Sequence, residues 1–103
     1  MAGAQVVPNA SRVEGKLLAI EPEPDGVGSI WKIAVERAYD VEGLPNFAQS
    51  YAGSTIEVYV RPRLKSGLRA GERLRARVTY RGDERGGRFA LAADDVTPAP
   101  PVS

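Results

Sequence analysis

Apolar and polar residues alternate with a period of two over much of the chain, which is typical of β-strands that bury one face. The clearest stretch is 55–61, where Ile56, Val58 and Val60 alternate with polar or amphipathic residues. In the stretch 73–81 the odd positions are arginines or threonine and the even positions are apolar. Each stretch therefore predicts a strand with one side toward a core.

Five strands are predicted in this way, and no segment has the period of a helix. They cover residues 12–21, 30–41, 55–61, 73–81 and 88–93, with a hairpin loop at 82–87 and a long loop at 40–54. In the second strand the alternation predicts an inner side that is interrupted by Arg37 and contains Trp31, Ile33, Val35, Tyr39 and Val41. The predicted core residues are Val13, Leu17, Trp31, Ile33, Val35, Ile56, Val58, Val60, Leu74, Val78, Phe89 and Leu91.

The chain of 103 residues is long enough for one core and too short for two. Residues 1–10 lack periodicity and are expected to form a flexible leader. Residues 97–103 are rich in proline and are expected to form a disordered tail. A single β-barrel domain over 11–96 remains.

Five short strands with one buried face each hide their edges best by closing into a barrel. Three features fit a particular barrel: Gly15 inside the first strand, the turn at 68–74 before the fourth, and the closing hairpin around Gly86 and Gly87. With these features the stretch 12–96 resembles the oligonucleotide/oligosaccharide-binding (OB) fold, an all-β, five-stranded Greek-key barrel. It departs from that pattern in lacking a clear helix between the third and fourth strands. An SH3-like small barrel and an open meander are the alternatives.

The residue types exclude several kinds of chemistry. The chain has no cysteine and no histidine, so it has no disulfide, no thiolate or imidazole metal site and no Ser-His-Asp triad. No phosphate-binding loop or dinucleotide fingerprint occurs. We therefore expect no enzyme, no metal and no cofactor. No apolar run approaches the length of a membrane span, which predicts a cytoplasmic protein without a membrane partner.

The charge of the chain is unevenly distributed. Residues 61–88 contain ten basic and three acidic side chains, a net charge of +7, whereas the rest of the chain has a net charge of −6. An asymmetry of this kind favours an anionic partner. Acidic strands lying beside the arginine-rich one would reduce it through cross-strand ion pairs.

The predicted function is that of a non-catalytic binding module for single-stranded nucleic acid, which is also what the resemblance implies. Barrels of this class bind strands with basic side chains at the phosphates and aromatic rings beneath the bases. The candidate binding residues are Lys32, Tyr59, Arg61, Arg63, Lys65, Arg73, Arg75 and Arg77. Arginines that only keep a sheet face solvated are the alternative interpretation of this pattern.

A protein-interaction module or structural subunit, including a homo-oligomer, is the alternative function. Its support is a surplus of apolar residues at positions that should be in water, among them Ile30, Ala34, Phe47 and Tyr51. Contiguous exposed apolar surface usually marks a contact with another molecule. We expect such a contact at the loop of Phe47 and Tyr51 or at the face of Ile30 and Ala34.

Overall fold

The alternating segments form five β-strands in the computed structural model, which describes residues 9–24, 27–62, 67–83 and 86–99, with the backbone alone at 83, 86, 93 and 94. The strands are β1 (Ser11–Pro22), β2 (Ser29–Asp40), β3 (Thr55–Val60), β4 (Arg73–Asp83) and β5 (Gly86–Pro98). A single turn of 3₁₀ helix, Gln49–Tyr51, lies in the long loop between β2 and β3. The described residues between β3 and β4 contain no helix.

The strands close into a barrel in the order β1-β2-β3-β5-β4. All neighbours are antiparallel except β3 and β5, which pair in parallel through Val58 with Phe89 and Tyr59 with Ala90. Because β4 returns to lie beside β1, the order 4-1-2-3 is that of a Greek key. The predicted all-β barrel is thus confirmed, and it is consistent with a fold of the OB type.

The interior of the barrel is filled by the alternating apolar residues. Eleven of the twelve predicted core residues are buried, Trp31 among them at 4% exposure. The twelfth, Leu91, is partly buried and packs against the others. β-Branched side chains dominate this set because they pack well on a pleated surface.

Two irregularities in the β1–β2 ladder change which side chains face outward. Register shifts occur between Glu14 and Gly15 and between Leu17 and Ala19. At the first shift β2 has an extra residue, Glu36, and an extra residue reverses the inside-outside order of the positions that follow. The prediction that Tyr39 faces inward was therefore wrong, since Tyr39 is 43% exposed.

Both ends of the domain extend slightly beyond the predicted limits. Asn9 is 8% exposed, and its side-chain amide donates to the Tyr80 carbonyl oxygen at 2.9 Å and accepts from the Tyr80 N–H at 2.7 Å. Asn9 and the buried Ala10 thus belong to the packed domain. At the other end β5 continues to Pro98. Residues 1–8 and 100–103 of the predicted leader and tail lie outside the described residues.

The hairpin between β4 and β5 is tighter than the loop predicted at 82–87. Gly82 pairs with Gly87 and Asp83 pairs with Gly86, so the ladder continues to the turn. Residues 84 and 85 lie outside the described part of the chain. Gly87 has no room for a side chain, because an added Cβ would lie 2.8 Å from the Cζ atom of Tyr80.

Candidate nucleic-acid interface

Strand register gathers basic side chains on the outer surface of three neighbouring strands, β4, β1 and β2. The opposed pairs of β4 and β1 are Arg73 with Lys16, Arg75 with Glu14, and Arg77 with Arg12. On its other side β1 has Arg37 opposite Glu14 and Tyr39 opposite Arg12. Directly opposed residues of an antiparallel pair project to the same side. We call this surface the cationic face; its basic members are Arg12, Lys16, Arg37, Arg73, Arg75 and Arg77.

Glu14 lies at the centre of the cationic face and organises two of its arginines. Its carboxylate accepts a hydrogen bond from Nε of Arg75 at 2.7 Å and lies 3.9 Å from a guanidinium nitrogen of Arg73. The Glu14 side chain is 15% exposed, whereas the Arg75 side chain is 51% exposed. Arg75 therefore keeps much of its guanidinium surface in solvent while one nitrogen is held.

Glu36, the extra residue of the β2 bulge, binds Arg73 through both carboxylate oxygens. Bidentate pairs of this kind are the strongest that arginine forms with a carboxylate. The hydrogen bonds from Arg73 lower the pKa of Glu36 below its usual value, and the Arg73 side chain is only 16% exposed. Arg73 is thus held by the protein itself, which reduces what it offers to an external anion.

Lys16, Arg37 and Arg77 are the members of the cationic face without an ion pair in the described part of the chain. No described carboxylate oxygen lies within 4.0 Å of their charged nitrogens. Arg12 has only a long contact of 3.9 Å with Asp95, between side chains about half exposed. Exposed pairs at such distances contribute roughly 0–1 kcal/mol, so Arg12 is readily available as well.

The cationic face therefore carries an excess of positive charge. Three of its six cations, Arg12, Arg73 and Arg75, contact described carboxylates, and these are only three in number: Glu14, Glu36 and Asp95. The exposed ring of Tyr39 lies at one edge, where its hydroxyl accepts a hydrogen bond from Arg37 at 3.5 Å. That hydrogen bond raises the pKa of Arg37. A basic surface with an exposed aromatic ring at its edge has the components that bind single strands.

Lys32 and Tyr59, the predicted candidates on β2 and β3, lie away from this face and have partners of their own. The ammonium of Lys32 is 3.4 Å from a carboxylate oxygen of Glu21. The guanidinium carbon of Arg88 lies 4.7 Å from the centre of the Tyr59 ring, at a distance typical of a cation–π contact. One face of the Tyr59 ring, which was predicted to stack with a base, is thus already covered by Arg88.

The Arg88 guanidinium that lies over the Tyr59 ring is itself held by a carboxylate. Arg88 donates to the Glu23 carboxylate at 3.2 Å, and this carboxylate is 13% exposed. Gly28 also lies close to this ring, since a Cβ added there would be 2.7 Å from the Tyr59 hydroxyl oxygen. The half-buried Tyr59 therefore contacts both the β1–β2 connection and the beginning of β5.

The structure brings together three of the eight predicted binding residues, namely Arg73, Arg75 and Arg77. Arg61 is exposed just beyond β3 and outside the cationic face. Arg63 and Lys65 lie outside the described residues. The prediction of a basic outer side for β4 is confirmed by the burial of its even positions Leu74, Ala76 and Val78.

Sequence reasoning missed four residues of this surface: Arg12, Lys16, Arg37 and Tyr39. The alternation of the first strand indicates that Arg12 and Lys16 lie on its outer side, but nothing in the sequence indicates that β1 pairs with β4. The signal for Arg37 and Tyr39 was present, since Arg37 interrupts the apolar alternation of β2. An arginine at an inward position is a reason to insert a bulge before it.

The described residues contain no group of three acidic side chains that could hold a metal ion. They also include no helix with the length and hydropathy of a membrane-spanning segment. The sequence matches no known protein-family model, and comparison with curated proteins finds no significant relative.

Proposed function

We propose that this protein is a non-catalytic module that binds single-stranded nucleic acid, with the phosphates on the cationic face. The observation that carries the proposal is the strand register, which places Lys16, Arg37 and Arg77 on one surface without ion pairs in the described part of the chain. Phosphate contacts by arginine and lysine supply most of the affinity of such modules. Tyr39 replaces Tyr59 as the ring on which a base stacks.

The ion pairs of Arg73 and Arg75 are compatible with this role. Glu14 and Glu36 hold these guanidiniums in place, so the cationic face has a fixed arrangement before it meets a ligand. Preorganised groups lose less conformational entropy on binding. The two carboxylates also limit affinity, because each of them repels a phosphate that approaches its arginine.

The test of the proposal is the salt dependence of binding to a labelled single strand. With three to five phosphate contacts, the logarithm of the association constant should fall against the logarithm of salt concentration with a slope of roughly −2 to −3.5, at about 0.7 per contact. Fluorescence anisotropy at a series of salt concentrations measures this slope. Absence of binding at low salt, where screening is weakest, would refute the proposed function.

A protein partner is the second candidate, favoured by apolar residues on the β1–β2 hairpin. Leu18, Ile20 and Val27 are 45%, 44% and 60% exposed. Leu18 faces outward because it is the extra residue at the second register shift of β1. Each of these side chains exposes apolar surface that a second copy or another protein would cover.

We expect Leu18→Glu to abolish self-association if this hairpin is a contact between copies. Sedimentation velocity across the micromolar range should then show an assembly for the natural chain and a monomer for the variant. Ala70→Glu is the matched control, because it places the same charge at an exposed position outside this hairpin. A monomer at all concentrations for the natural chain would rule out the homo-oligomer.

A further inference from the structure

A shallow cleft of about 250 Å³ lies between the first half of β3 and the beginning of β5. It exists because the parallel pairing of these strands includes only two residue pairs, which begin at Val58 and Phe89. Before these pairs the strands separate, and Tyr51 and Tyr80 line the opening together with Phe89. The volume is below the range of about 300–1,000 Å³ that is usual for drug-sized ligands, so it suits a single small ring system.

The walls of the cleft are aromatic rings in edge-to-face contact. The ring centres of Tyr51 and Phe89 are 5.3 Å apart at an interplanar angle of 88°, and those of Tyr80 and Phe89 are 5.2 Å apart at 68°. Phe89 is buried, whereas Tyr51 is 39% exposed. An edge-to-face contact leaves ring surface of Tyr51 uncovered at the mouth of the cleft, where a flat ligand can stack.

Two charged side chains, Glu57 and Arg88, complete the lining of the cleft. Arg88 is held by Glu23 and by the Tyr59 ring. Glu57 has no ion pair within the described part of the chain, and Lys32 on the opposite strand is paired with Glu21. The cleft thus combines aromatic walls with one carboxylate that is free to accept hydrogen bonds.

A flat ring with adjacent N–H donors matches this combination. The Watson–Crick edge of guanine presents its N1–H and its 2-amino group side by side, and two such donors fit the two oxygens of one carboxylate. Adenine and cytosine present an amino donor beside a ring-nitrogen acceptor, and uracil and thymine present a single donor between two carbonyl oxygens, so in each of them an acceptor faces the carboxylate and is repelled. The chemistry of the cleft therefore favours guanine among the bases.

Basic side chains on β4 connect the cationic face to this cleft and could contact a bound nucleic-acid strand along the way. Arg77 and Arg81 lie on the same strand, four residues or about 13 Å apart, and Arg81 is exposed and directly opposite Arg88. Phosphates of one strand can therefore follow β4 from the cationic face toward the cleft. The cleft and the face would then contact the same ligand.

We infer that the cleft binds one guanine base of the bound strand, with its ring against Tyr51 and its N1–H and 2-amino group donating to Glu57. This inference rests on the proposed function for the rest of the strand. It adds base selectivity to a surface that otherwise contacts only phosphates, which carry no sequence information. A carboxylate that accepts two hydrogen bonds discriminates against the wrong base by about tenfold or more.

The test compares thymine strands of about ten nucleotides, within the size range of one such barrel, that carry at the centre guanine, hypoxanthine or thymine. We expect the guanine strand to bind about tenfold more tightly than the all-thymine strand. Hypoxanthine, which lacks the 2-amino group, should lose most of that preference. Glu57→Gln should remove the preference and leave the salt slope unchanged, whereas Glu42→Gln, a carboxylate change in an exposed loop, should keep it.

A second measurement examines the cleft without the cationic face. Guanosine, which has no phosphate to bind the cationic face, should shift the backbone amide resonances of Tyr51, Glu57 and Gly87 when titrated into isotope-labelled protein, and Tyr51→Ala should remove those shifts. Equal affinity for the three strands, or a preference that survives Glu57→Gln, would overturn the inference and leave the proposed function standing. Absence of all strand binding would instead refute the proposed function. The guanosine titration then decides on the cleft alone, and unshifted resonances would overturn the inference.

Discussion

Gly15→Ala is expected to destabilise the barrel by about 3 kcal/mol, the upper end of the usual cost of overpacking a core. An added Cβ would overlap the carbonyl oxygen of Ala34 and lie 3.0 Å from its carbonyl carbon and 3.2 Å from the Cα atom of Val35. All three atoms belong to the backbone of β2, which is paired on both sides and cannot move as a side chain would. The strands must separate locally to make room.

Urea denaturation monitored by circular dichroism measures this loss. Ser54→Thr is a suitable control, because it also adds one carbon atom but at an exposed position, where substitutions usually change stability by less than about 0.5 kcal/mol. A Gly15→Ala protein as stable as the Ser54→Thr protein would show that β1 and β2 do not approach so closely at this bulge.

Simultaneous replacement of Lys16, Arg37 and Arg77 by glutamine is expected to lower the affinity for a single strand about a hundredfold at 0.1 M salt. Each lost phosphate contact reduces the salt slope by about 0.7, and three contacts correspond to about two orders of magnitude between 1 M and 0.1 M salt. The three residues are exposed or half-exposed, so the variant should fold normally. Anisotropy titrations with one strand at several salt concentrations measure both the affinity and the slope.

Two single variants separate a local effect from a change in net charge. Arg69→Gln removes an exposed cation outside the cationic face and should change affinity only slightly. Glu36→Gln should strengthen binding, because it releases the guanidinium of Arg73 from its bidentate carboxylate. If Arg69→Gln lowered the affinity as much as a single substitution of Lys16, Arg37 or Arg77, binding would depend on the net charge of the protein and not on the cationic face.

The core could be predicted from the sequence because each strand keeps its alternation between irregularities. Val58, Leu74 and Val78 are buried as their spacing requires. The alternation fails as a guide at the two register shifts between β1 and β2. At each shift a single extra residue changes which of the following side chains face the core. Arg37 marked one of them in the sequence, yet the position of the bulge depends on the partner strand.

The candidate site was less predictable because it depends on contacts between distant parts of the chain. The charge of Arg75 is matched by Glu14, 61 positions away, and no local pattern connects the two residues. The alternation of β3 indicates that Tyr59 lies on its outer side, but the covering residue Arg88 comes from another strand. Sequence alternation indicates the side of a strand on which a residue lies, and only the register tells which neighbours it meets.

β3 and β5 are joined by only two residue pairs, and this weak pairing determines where the barrel opens. Every other junction of the ring is a longer antiparallel ladder, so local fluctuations should part the barrel first at Val58 and Phe89, well below the free energy of global unfolding. A ligand in the neighbouring cleft touches both strands and binds only when they are together. Binding and closure are then thermodynamically linked. A ligand in the cleft would stabilise the closed barrel by holding β3 and β5 together where backbone pairing between them is absent.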